Sequence, residues 1–278
     1  MFLVTGANGQ LGNELRLLLG DRAMYTGREE LDITDEAAVC KFLDGQNFDF
    51  VINCAGYTAV DKAEDDFEVA DRINRIGPAL LARYGRHIIH ISTDYVFDGA
   101  ISRPYTEGDA AKPLSVYGTA KLAGENAVLA EAETAVVIRS SWMFSYYGEN
   151  FVKAMRRLGA ERDSLGVIFD QVGTPTYAAD LAAAIVAMLP QIKAGTKEIY
   201  HYSNEGVASW YDFAWAIMAE SGLPCVVRPL ETSEYPTKAT RPAYSVLNKA
   251  KIKRDFSLAI PHWMDSLKRC IAKLNEQA

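Results

Sequence analysis

Tyr117 and Lys121 are four residues apart, a spacing that places both side chains on one face of a helix, one turn from each other. An ammonium beside a phenol favours the phenolate, so we expect Lys121 to lower the pKa of Tyr117 from its ordinary value near 10. Such a tyrosine can exchange a proton with a carbonyl or alcohol oxygen near neutral pH. The spacing is common by chance, so its meaning depends on the surrounding elements.

A glycine loop lies close to the N-terminus. Gly6, Gly9 and Gly12 follow a short apolar segment and precede leucines at helical spacing. Glycines there permit a sharp turn and a close approach of the backbone to a pyrophosphate, whose charge is favoured at a helix N-terminus. We expect a dinucleotide site, and a strand-to-helix turn without a ligand is the alternative.

The residues after the second predicted strand should select the cofactor. An acidic residue there holds a ribose 2′-hydroxyl, whereas an arginine accommodates a 2′-phosphate. Arg28 follows the predicted strand and Asp32 comes a few residues later. Because a guanidinium can grip a phosphate and stack on adenine, Arg28 favours NADPH, with NADH tolerated. The alternative is a solvated surface arginine.

The elements that must position these residues alternate along the first half of the chain. Short apolar runs predict strands at residues 2–4, 23–26, 50–54, 87–92 and 135–138. Helical patterns separate them, one of which is expected to start near Gly77 and Pro78. Strands that alternate with helices predict an α/β fold, a Rossmann-type doubly wound parallel sheet with helices on both faces.

The pattern changes after about Trp142, where prolines and aromatic residues become denser. We therefore predict a dinucleotide-binding Rossmann domain over residues 1–145 and a smaller mixed α/β C-terminal substrate lobe over residues 146–278. The apolar segment 177–190 is expected to pack back on the first domain.

Composition excludes several classes of function. The chain has 278 residues, 49% of them hydrophobic, and a formal charge of -7, which disfavours a nucleic-acid or anionic-membrane binder. Its cysteines and histidines lack metal-ligand spacing, so we predict no catalytic metal. The absence of a leader or apolar span predicts a cytoplasmic protein.

Several motifs together resemble a known family. They occupy residues 53–64, the STDYVFDG run at 92–99, and residues 116–125, 139–142, 170–176 and 241–242. With the GxxGxxG loop, they are similar to the extended short-chain dehydrogenase/reductase family and, within it, to the dTDP-4-dehydrorhamnose reductases. The resemblance spans nearly the whole chain.

This resemblance implies reduction of the 4-keto group of dTDP-4-dehydro-6-deoxy-L-mannose to dTDP-L-rhamnose. Tyr117 would supply the proton, Lys121 would lower the pKa of Tyr117 and hold the nicotinamide ribose, and Thr93 would hydrogen-bond near the reacting oxygen. Trp142 would form an apolar wall behind the deoxy-sugar methyl group. Arg241 would grip the diphosphate.

The predicted binding residues form two groups. The cofactor contacts are Gly6, Gly9, Gln10, Leu11, Gly12, Arg28, Asp32, Ile33, Ala55, Gly56, Tyr57, Thr58, Asn74, Tyr117 and Lys121. The substrate contacts are Val60, Thr93, Asp94, Tyr95, Trp142 and Arg241. Some family members bind magnesium through glutamates at a dimer interface, and Glu14 occupies a matching position. Magnesium is therefore expected to be structural at most, and a homodimer is an open prediction.

Two alternatives remain at this stage. The chain could reduce or epimerise another nucleotide sugar, because the irregular second lobe determines sugar and base selection. It could also be a non-catalytic regulatory subunit, since the regulatory subunit of methionine adenosyltransferase shares this fold. The joint presence of Thr93, Tyr117 and Lys121 disfavours that second alternative.

Overall fold

The computed structural model describes residues 1–276. Within that range, one six-stranded sheet is accompanied by three two-stranded sheets. The strands in chain order are β1 (Phe2–Thr5), β2 (Ala23–Thr26), β3 (Phe50–Asn53), β4 (His87–Thr93), β5 (Thr134–Ser140), β6 (Met143–Phe144), β7 (Ser164–Ile168), β8 (Val172–Gly173), β9 (Thr176–Tyr177), β10 (Lys197–His201), β11 (Ala208–Ser209) and β12 (Val226–Leu230).

Helices cover both faces of the main sheet and make up much of the second lobe. They are α1 (Gln10–Leu19), α2 (Glu36–Leu43), α3 (Val60–Ala63), α4 (Phe67–Asp71), α5 (Gly77–Gly85), α6 (Val116–Glu131), α7 (Phe151–Glu161), α8 (Ala178–Met188), α9 (Trp210–Ser221), α10 (Ala250–Phe256) and α11 (Trp263–Glu276). None of the helices in residues 1–276 is both long enough and apolar enough to cross a membrane.

The main sheet has the order β10-β5-β4-β3-β1-β2, and all its pairings are parallel. Val4, Ile52, Ile89 and Val136 lie side by side on four neighbouring strands and are fully buried. Such continuous apolar strands are typical of a sheet covered on both faces. The chain turns from β1 to β2 on one side and then crosses to β3 on the other. The predicted doubly wound sheet is confirmed, and ligands bind such folds at the carboxyl ends beside this crossing.

Two apolar clusters bury the faces of the sheet. On one face α1 and α8 pack together through Leu15 and Ile185. On the other face α5 and α6 contribute Leu81 and Val128. Helix α8 lies within the segment 177–190. Because its Ile185 belongs to the apolar cluster on one face of the sheet, this helix contacts the sheet formed by the first part of the chain.

The helix expected near Gly77 and Pro78 is present as α5, which starts at Gly77 with Pro78 in its first turn, but no break separates it from the helical residues before it. Helix α4, a π-helical turn at Arg72–Ile76 and α5 form one continuous run from Phe67 to Gly85. Pro78 cannot donate a backbone hydrogen bond to Asn74, as residue 78 of a regular α-helix would. The wider π turn accommodates this proline, and it turns the Asn74 carbonyl against Gly124 of α6. Proline is thus tolerated inside the helix because the turn before it is not α-helical.

Aromatic packing builds the second lobe. Phe144, Phe213 and Trp263 belong to one buried cluster that joins β6, α9 and α11. The parallel pair β7 and β12 forms a separate small sheet against α9. The lobe therefore consists of short elements held by side chains rather than by one extended sheet.

Candidate active site

The glycine loop between β1 and α1 adopts a backbone that only glycine accommodates. Gly6 has φ +65°, and a Cβ atom there would lie 2.5 Å from the Ala55 nitrogen. A Cβ on Gly12 would lie 2.5 Å from the Cα atom of Ala7. Gly9 precedes α1 without any side-chain cap, so first-turn amides remain for a ligand. The loop is therefore a suitable cradle for an anionic group.

Asn53 connects the carboxyl ends of three neighbouring strands. Its Oδ1 accepts hydrogen bonds from Thr5 Oγ1 at 2.8 Å and from the Ala55 amide at 3.1 Å. Its Nδ2 lies 3.0 Å from His90 Nδ1. Because the contacts with Thr5 and His90 are buried, Asn53 is held in place and its contact with the Ala55 amide fixes the loop after β3 beside the glycine loop.

Asn74, in the π-helical turn, holds the next part of that loop. It accepts from the Tyr57 amide at 2.9 Å and donates to the Tyr57 carbonyl at 3.0 Å. Neither Asn74 nor Tyr57 lines either of the two clefts described next. Their geometry is that of a support for the loop containing Ala55, Gly56 and Thr58.

Two adjoining clefts cross the carboxyl edge of the sheet. We call the first, of about 480 Å³, the reaction cleft, and the second, of about 430 Å³, the Arg28 cleft. They share Gly6, Gly9, Cys54, Ala55 and Gly56. The reaction cleft also contains Gln10, Leu11, Gly12, Thr58, Val60, Thr93, Asp94, Tyr95, Tyr117, Lys121 and Trp142. The structure therefore brings most of the predicted contacts together.

The Arg28 cleft contains the residues predicted to select the cofactor. Arg28, Asp32 and Ile33 all line it. The Arg28 side chain is 86% exposed, and its Nε lies 3.8 Å from Asp32 Oδ2. Hydrogen bonds from Thr34 and the charge of Arg28 lower the pKa of Asp32. An exposed guanidinium with one weak partner remains available to a phosphate.

Helix α6 carries Tyr117 and Lys121 into the reaction cleft. Ser115 caps its N-terminus by accepting a hydrogen bond from the Gly118 amide at 3.1 Å. Gly118 lies so close to β4's end that a Cβ there would be 2.3 Å from the Tyr95 carbonyl oxygen. This approach buries Tyr117 and Lys121 and places both in the cleft that Thr93 also lines.

The electrostatics of Tyr117 differ from the prediction. Burial raises its pKa to about 12, and the influence of the Thr93 hydroxyl opposes this rise. The expectation that Lys121 lowers the pKa of Tyr117 is wrong, because Lys121 Nζ donates to the Ile91 carbonyl at 2.6 Å. Burial lowers the pKa of Lys121 to about 8, although Glu125 counteracts it. At neutral pH the phenol is thus protonated and able to donate.

Glu125, which sequence reasoning missed, supports this arrangement one turn beyond Lys121. It accepts hydrogen bonds from Ser92 Oγ at 2.5 Å and from Arg139 Nη2 at 2.7 Å. Both members of this ion pair are buried, so the contact joins α6 to β4 and β5. A glutamate four residues after Lys121, on the same helical face, is the sequence signal that could have revealed it.

Asp94 is an ionisable group buried at the wall of the reaction cleft. It is 2% exposed, and burial raises its pKa to about 6. Its Oδ1 accepts from Thr93 Oγ1 at 3.2 Å. Its Oδ2 is buried and has no hydrogen-bond partner among residues 1–276. A substrate hydroxyl can satisfy such an acceptor.

The opposite wall is aromatic and combines Trp142, which follows β5, with Trp210 of the second lobe. Trp142 lines the reaction cleft and stacks on Trp210, with ring centroids 3.7 Å apart. Sequence reasoning missed Trp210, and it also missed the polar and small residues beside it, which are Ser140, Ser141, Gly148 and Glu149. Aromatic density is the only signal in the sequence, because no local pattern links position 210 to position 142.

Arg241 lies outside the reaction cleft. It lines a cleft of about 870 Å³ in the second lobe, the second-lobe cleft, together with Arg162, Arg228 and Lys238. Its guanidinium donates to Asp61 at 2.6 Å, and this contact lowers the pKa of Asp61. Trp210 lines both this cleft and the reaction cleft. A row of guanidinium and ammonium groups is suited to a diphosphate.

Glu14 is 4% exposed, and its Oε1 accepts a hydrogen bond from Ser145 at 2.7 Å. Burial raises its pKa. Its carboxylate therefore faces the interior rather than a surface that a second subunit could reach. Across residues 1–276, no group of three or more His, Cys, Asp or Glu side chains is arranged to hold a metal ion.

Comparison with known proteins extends over the same residues. The family model described as the RmlD substrate binding domain matches residues 1–276. A dTDP-4-dehydrorhamnose reductase from Aggregatibacter actinomycetemcomitans is 41% identical over 96% of both chains. The structure of a dTDP-4-dehydrorhamnose reductase from Clostridium acetobutylicum has a TM-score of 0.93, 41% identity and 99% coverage of both chains. That of the Bacillus anthracis reductase in complex with NADP has a TM-score of 0.93, 35% identity and 98% coverage of both.

Proposed function

Since this chain belongs to the RmlD substrate binding domain family, we propose that it is a dTDP-4-dehydrorhamnose reductase. It reduces the 4-keto group of dTDP-4-dehydro-6-deoxy-L-mannose to dTDP-L-rhamnose with NADPH, as its named relatives and the NADP complex of one of them support. The observation that carries the proposal is the convergence of Thr93, Tyr117 and Lys121 in a cleft that includes the glycine loop.

The chain's own residues fit a dinucleotide. The close backbone approach at Gly6 and Gly12 and the uncapped start of α1 suit a pyrophosphate. The exposed Arg28 suits a 2′-phosphate, and Lys121 suits the nicotinamide ribose. When bound, NADPH supplies the hydride for carbon 4.

Tyr117 supplies the proton. Its hydroxyl is protonated at neutral pH because burial raises its pKa to about 12, and it donates to the substrate oxygen as negative charge develops there. Thr93 lines the same cleft as the phenol, and its hydroxyl lowers the pKa of Tyr117, which favours loss of the proton. The buried ammonium of Lys121 adds positive charge to the same cleft, which favours the developing alkoxide.

Residues around the proton-transfer group and residues of the second lobe hold the rest of the substrate. Trp142 presents an apolar face to the methyl group of the deoxy-sugar, Val60 and Tyr95 line the same cleft, and Asp94 accepts from a sugar hydroxyl. Arg241 and its neighbours in the second-lobe cleft bind the diphosphate. A cytoplasmic location and a homodimer stay predictions from the sequence, as do the domain boundaries.

A coupled assay with the upstream pathway enzymes tests the proposal. We expect NADPH oxidation that depends on dTDP-4-dehydrorhamnose, with dTDP-L-rhamnose identified as the product by NMR. Another product sugar would favour a different nucleotide-sugar reductase or epimerase. Cofactor binding without turnover on any nucleotide sugar would favour the regulatory subunit.

A further inference from the structure

Trp142 has a backbone conformation that a bulky residue rarely adopts. Its φ is +46°, in the left-handed region where side chains other than glycine are strained. Such strain persists only where surrounding contacts over-determine the conformation, and it is common at ligand sites. The contacts that hold Trp142 therefore bear on how its ring is presented to the reaction cleft.

Two of these contacts involve the segment between β8 and β9. The Trp142 carbonyl accepts a hydrogen bond from the Thr176 amide at 3.2 Å. The edge of the indole lies against Gly173, where a Cβ atom would be 2.8 Å from Trp142 Cε2. These contacts restrain the backbone and one edge of the ring but leave its broad faces free.

Trp210 covers one of those faces. The two indoles are nearly parallel, with centroids 3.7 Å apart and an interplanar angle of 10°. Trp210 is itself fixed, because it is the first residue of α9 and lies within the Ser209–Asp212 capping box. Phe151 also packs on it at 4.7 Å. The orientation of the Trp142 ring is thus set by a rigid neighbour from another element.

The location of Trp210 adds a second observation. It lines both the reaction cleft and the second-lobe cleft, whereas Trp142 lines only the reaction cleft. Trp210 is therefore the partition between the space around Tyr117 and the cationic space around Arg241. A substrate with a sugar joined to a diphosphate must cross this partition.

We propose that Trp210 is a positioning residue for the sugar nucleotide: it holds the strained Trp142 ring as the wall of the sugar pocket and sets the junction between sugar and diphosphate. The inference rests on the proposed function. It assigns to Trp210 a role in substrate alignment, because the aromatic rings that contact Trp210 are those of Trp142, Phe151 and Phe213 and none of these residues lines the Arg28 cleft.

Kinetic variants separate positioning from folding. Trp210→Ala is expected to raise KM for dTDP-4-dehydrorhamnose about tenfold or more, the usual scale for truncating a central aromatic contact. KM for NADPH should change by less than about twofold, because only the substrate side is altered. Trp210→Phe should recover part of the loss, since it keeps an aromatic face. Trp215→Ala is the matched control: it lies on the same helix and is 56% exposed.

A spectroscopic signature reports the stack directly. Two stacked indoles in contact couple excitonically, and the far-ultraviolet circular dichroism should contain a couplet if their in-plane transition moments are rotated relative to each other. This couplet should vanish in Trp210→Phe and Trp142→Phe and persist in Trp215→Phe. A couplet that survives Trp210→Phe would overturn the stacking geometry, and an unchanged KM for the sugar nucleotide in Trp210→Ala would overturn the positioning role.

Equilibrium binding distinguishes failure of this inference from failure of the proposed function. Calorimetry with dTDP-L-rhamnose and NADP needs no turnover, and it should give a Kd about tenfold weaker in Trp210→Ala than in the wild type. If the wild type binds but does not turn over the keto-sugar, the proposed function fails alone. If Trp210→Ala binds as tightly as the wild type, the inference fails alone. If Trp210→Ala does not fold, the same comparison is made with Trp210→Phe.

Discussion

The two walls of the reaction cleft are built differently. The wall that carries Thr93, Tyr117 and Lys121 stands on long parallel strands and on α6, and buried hydrogen bonds such as those of Asn53 tie neighbouring strand ends together. The wall that carries Trp142 stands on two-residue strands and depends on stacking with Trp210. Chemistry that needs sub-ångström placement thus rests on the rigid sheet, and substrate selection rests on segments that loops can vary.

The sheet wall and the second-lobe cleft also differ in electrostatic strain. Burial disfavours the charged forms of both Asp94 and Lys121 on the sheet side. In the second-lobe cleft, Arg241 is paired with Asp61. Ionisable groups held against their ordinary pKa are common at catalytic sites. We therefore expect the sheet wall to control turnover and the second-lobe cleft to control binding.

Tyr117→Phe should have the largest effect. Removing the proton donor is expected to lower kcat about 10²–10⁴-fold, with KM for NADPH nearly unchanged because the ring still packs in place. Steady-state NADPH oxidation measures both constants. Tyr84→Phe is the control, since that hydroxyl donates to Glu36 on the far surface. If the Tyr117→Phe enzyme kept most of its kcat, the expectation that the sheet wall controls turnover would be contradicted.

Asp94→Asn should make the protein more stable at neutral pH. Burial raises the pKa of Asp94 from 3.8 to about 6, so the folded state prefers the protonated acid. The stability contribution is complete below about pH 4 and is lost as pH rises through about 6, which corresponds to at most about 3 kcal/mol at neutral pH. Urea unfolding should therefore find the variant more stable at pH 7, with the difference vanishing towards pH 4.

Asp98→Asn is a control of opposite sign for the Asp94 experiment. Hydrogen bonds from the Ala100 amide and the Tyr105 hydroxyl lower the pKa of Asp98. Its stabilising contribution is present above its ordinary pKa and is lost as pH falls, so this variant should be less stable at pH 7. An Asp94→Asn variant that is also destabilised at pH 7 would contradict the electrostatic strain assigned to the sheet wall.

Arg241→Ala should change binding rather than turnover. Loss of one charged hydrogen-bond donor to a diphosphate is expected to raise KM for the sugar nucleotide about tenfold, with kcat within about twofold. Steady-state kinetics at saturating NADPH measure the two constants. Arg254→Ala is the control, because Arg254 pairs with Asp255 at the surface. A fall in kcat at constant KM would mean that the two walls do not divide the work in this way.

Arg28→Ala should give the smallest effect, since its guanidinium is largely exposed. We expect KM for NADPH to rise about threefold to tenfold and KM for NADH to stay constant, because only NADPH carries the 2′-phosphate. The ratio of the two Michaelis constants is the measurement, and Arg22→Ala is the surface control. An unchanged ratio would remove Arg28 from cofactor selection.

Much of the sheet wall could be predicted from the sequence because its signals are local. The glycine spacing, the alternation of strands and helices and the Tyr117–Lys121 interval each act over a few residues or one turn. The helix expected to start near Pro78 does start at Gly77, but the π-helical turn that precedes it was not predicted. Local sequence patterns do not show whether the residues before a proline form a π-helical turn or a loop.

By itself, the sequence determined the order of the elements, the doubly wound sheet and the identity of the groups that gather at its carboxyl edge. Only the tertiary structure decided which carbonyl takes the Lys121 ammonium, how far burial moves the pKa of Tyr117, and that Trp210 stacks on Trp142 while Arg241 faces a separate cleft. Backbone periodicity arises between near neighbours, whereas burial and stacking arise between groups that are distant in the chain and meet only when the two lobes pack together.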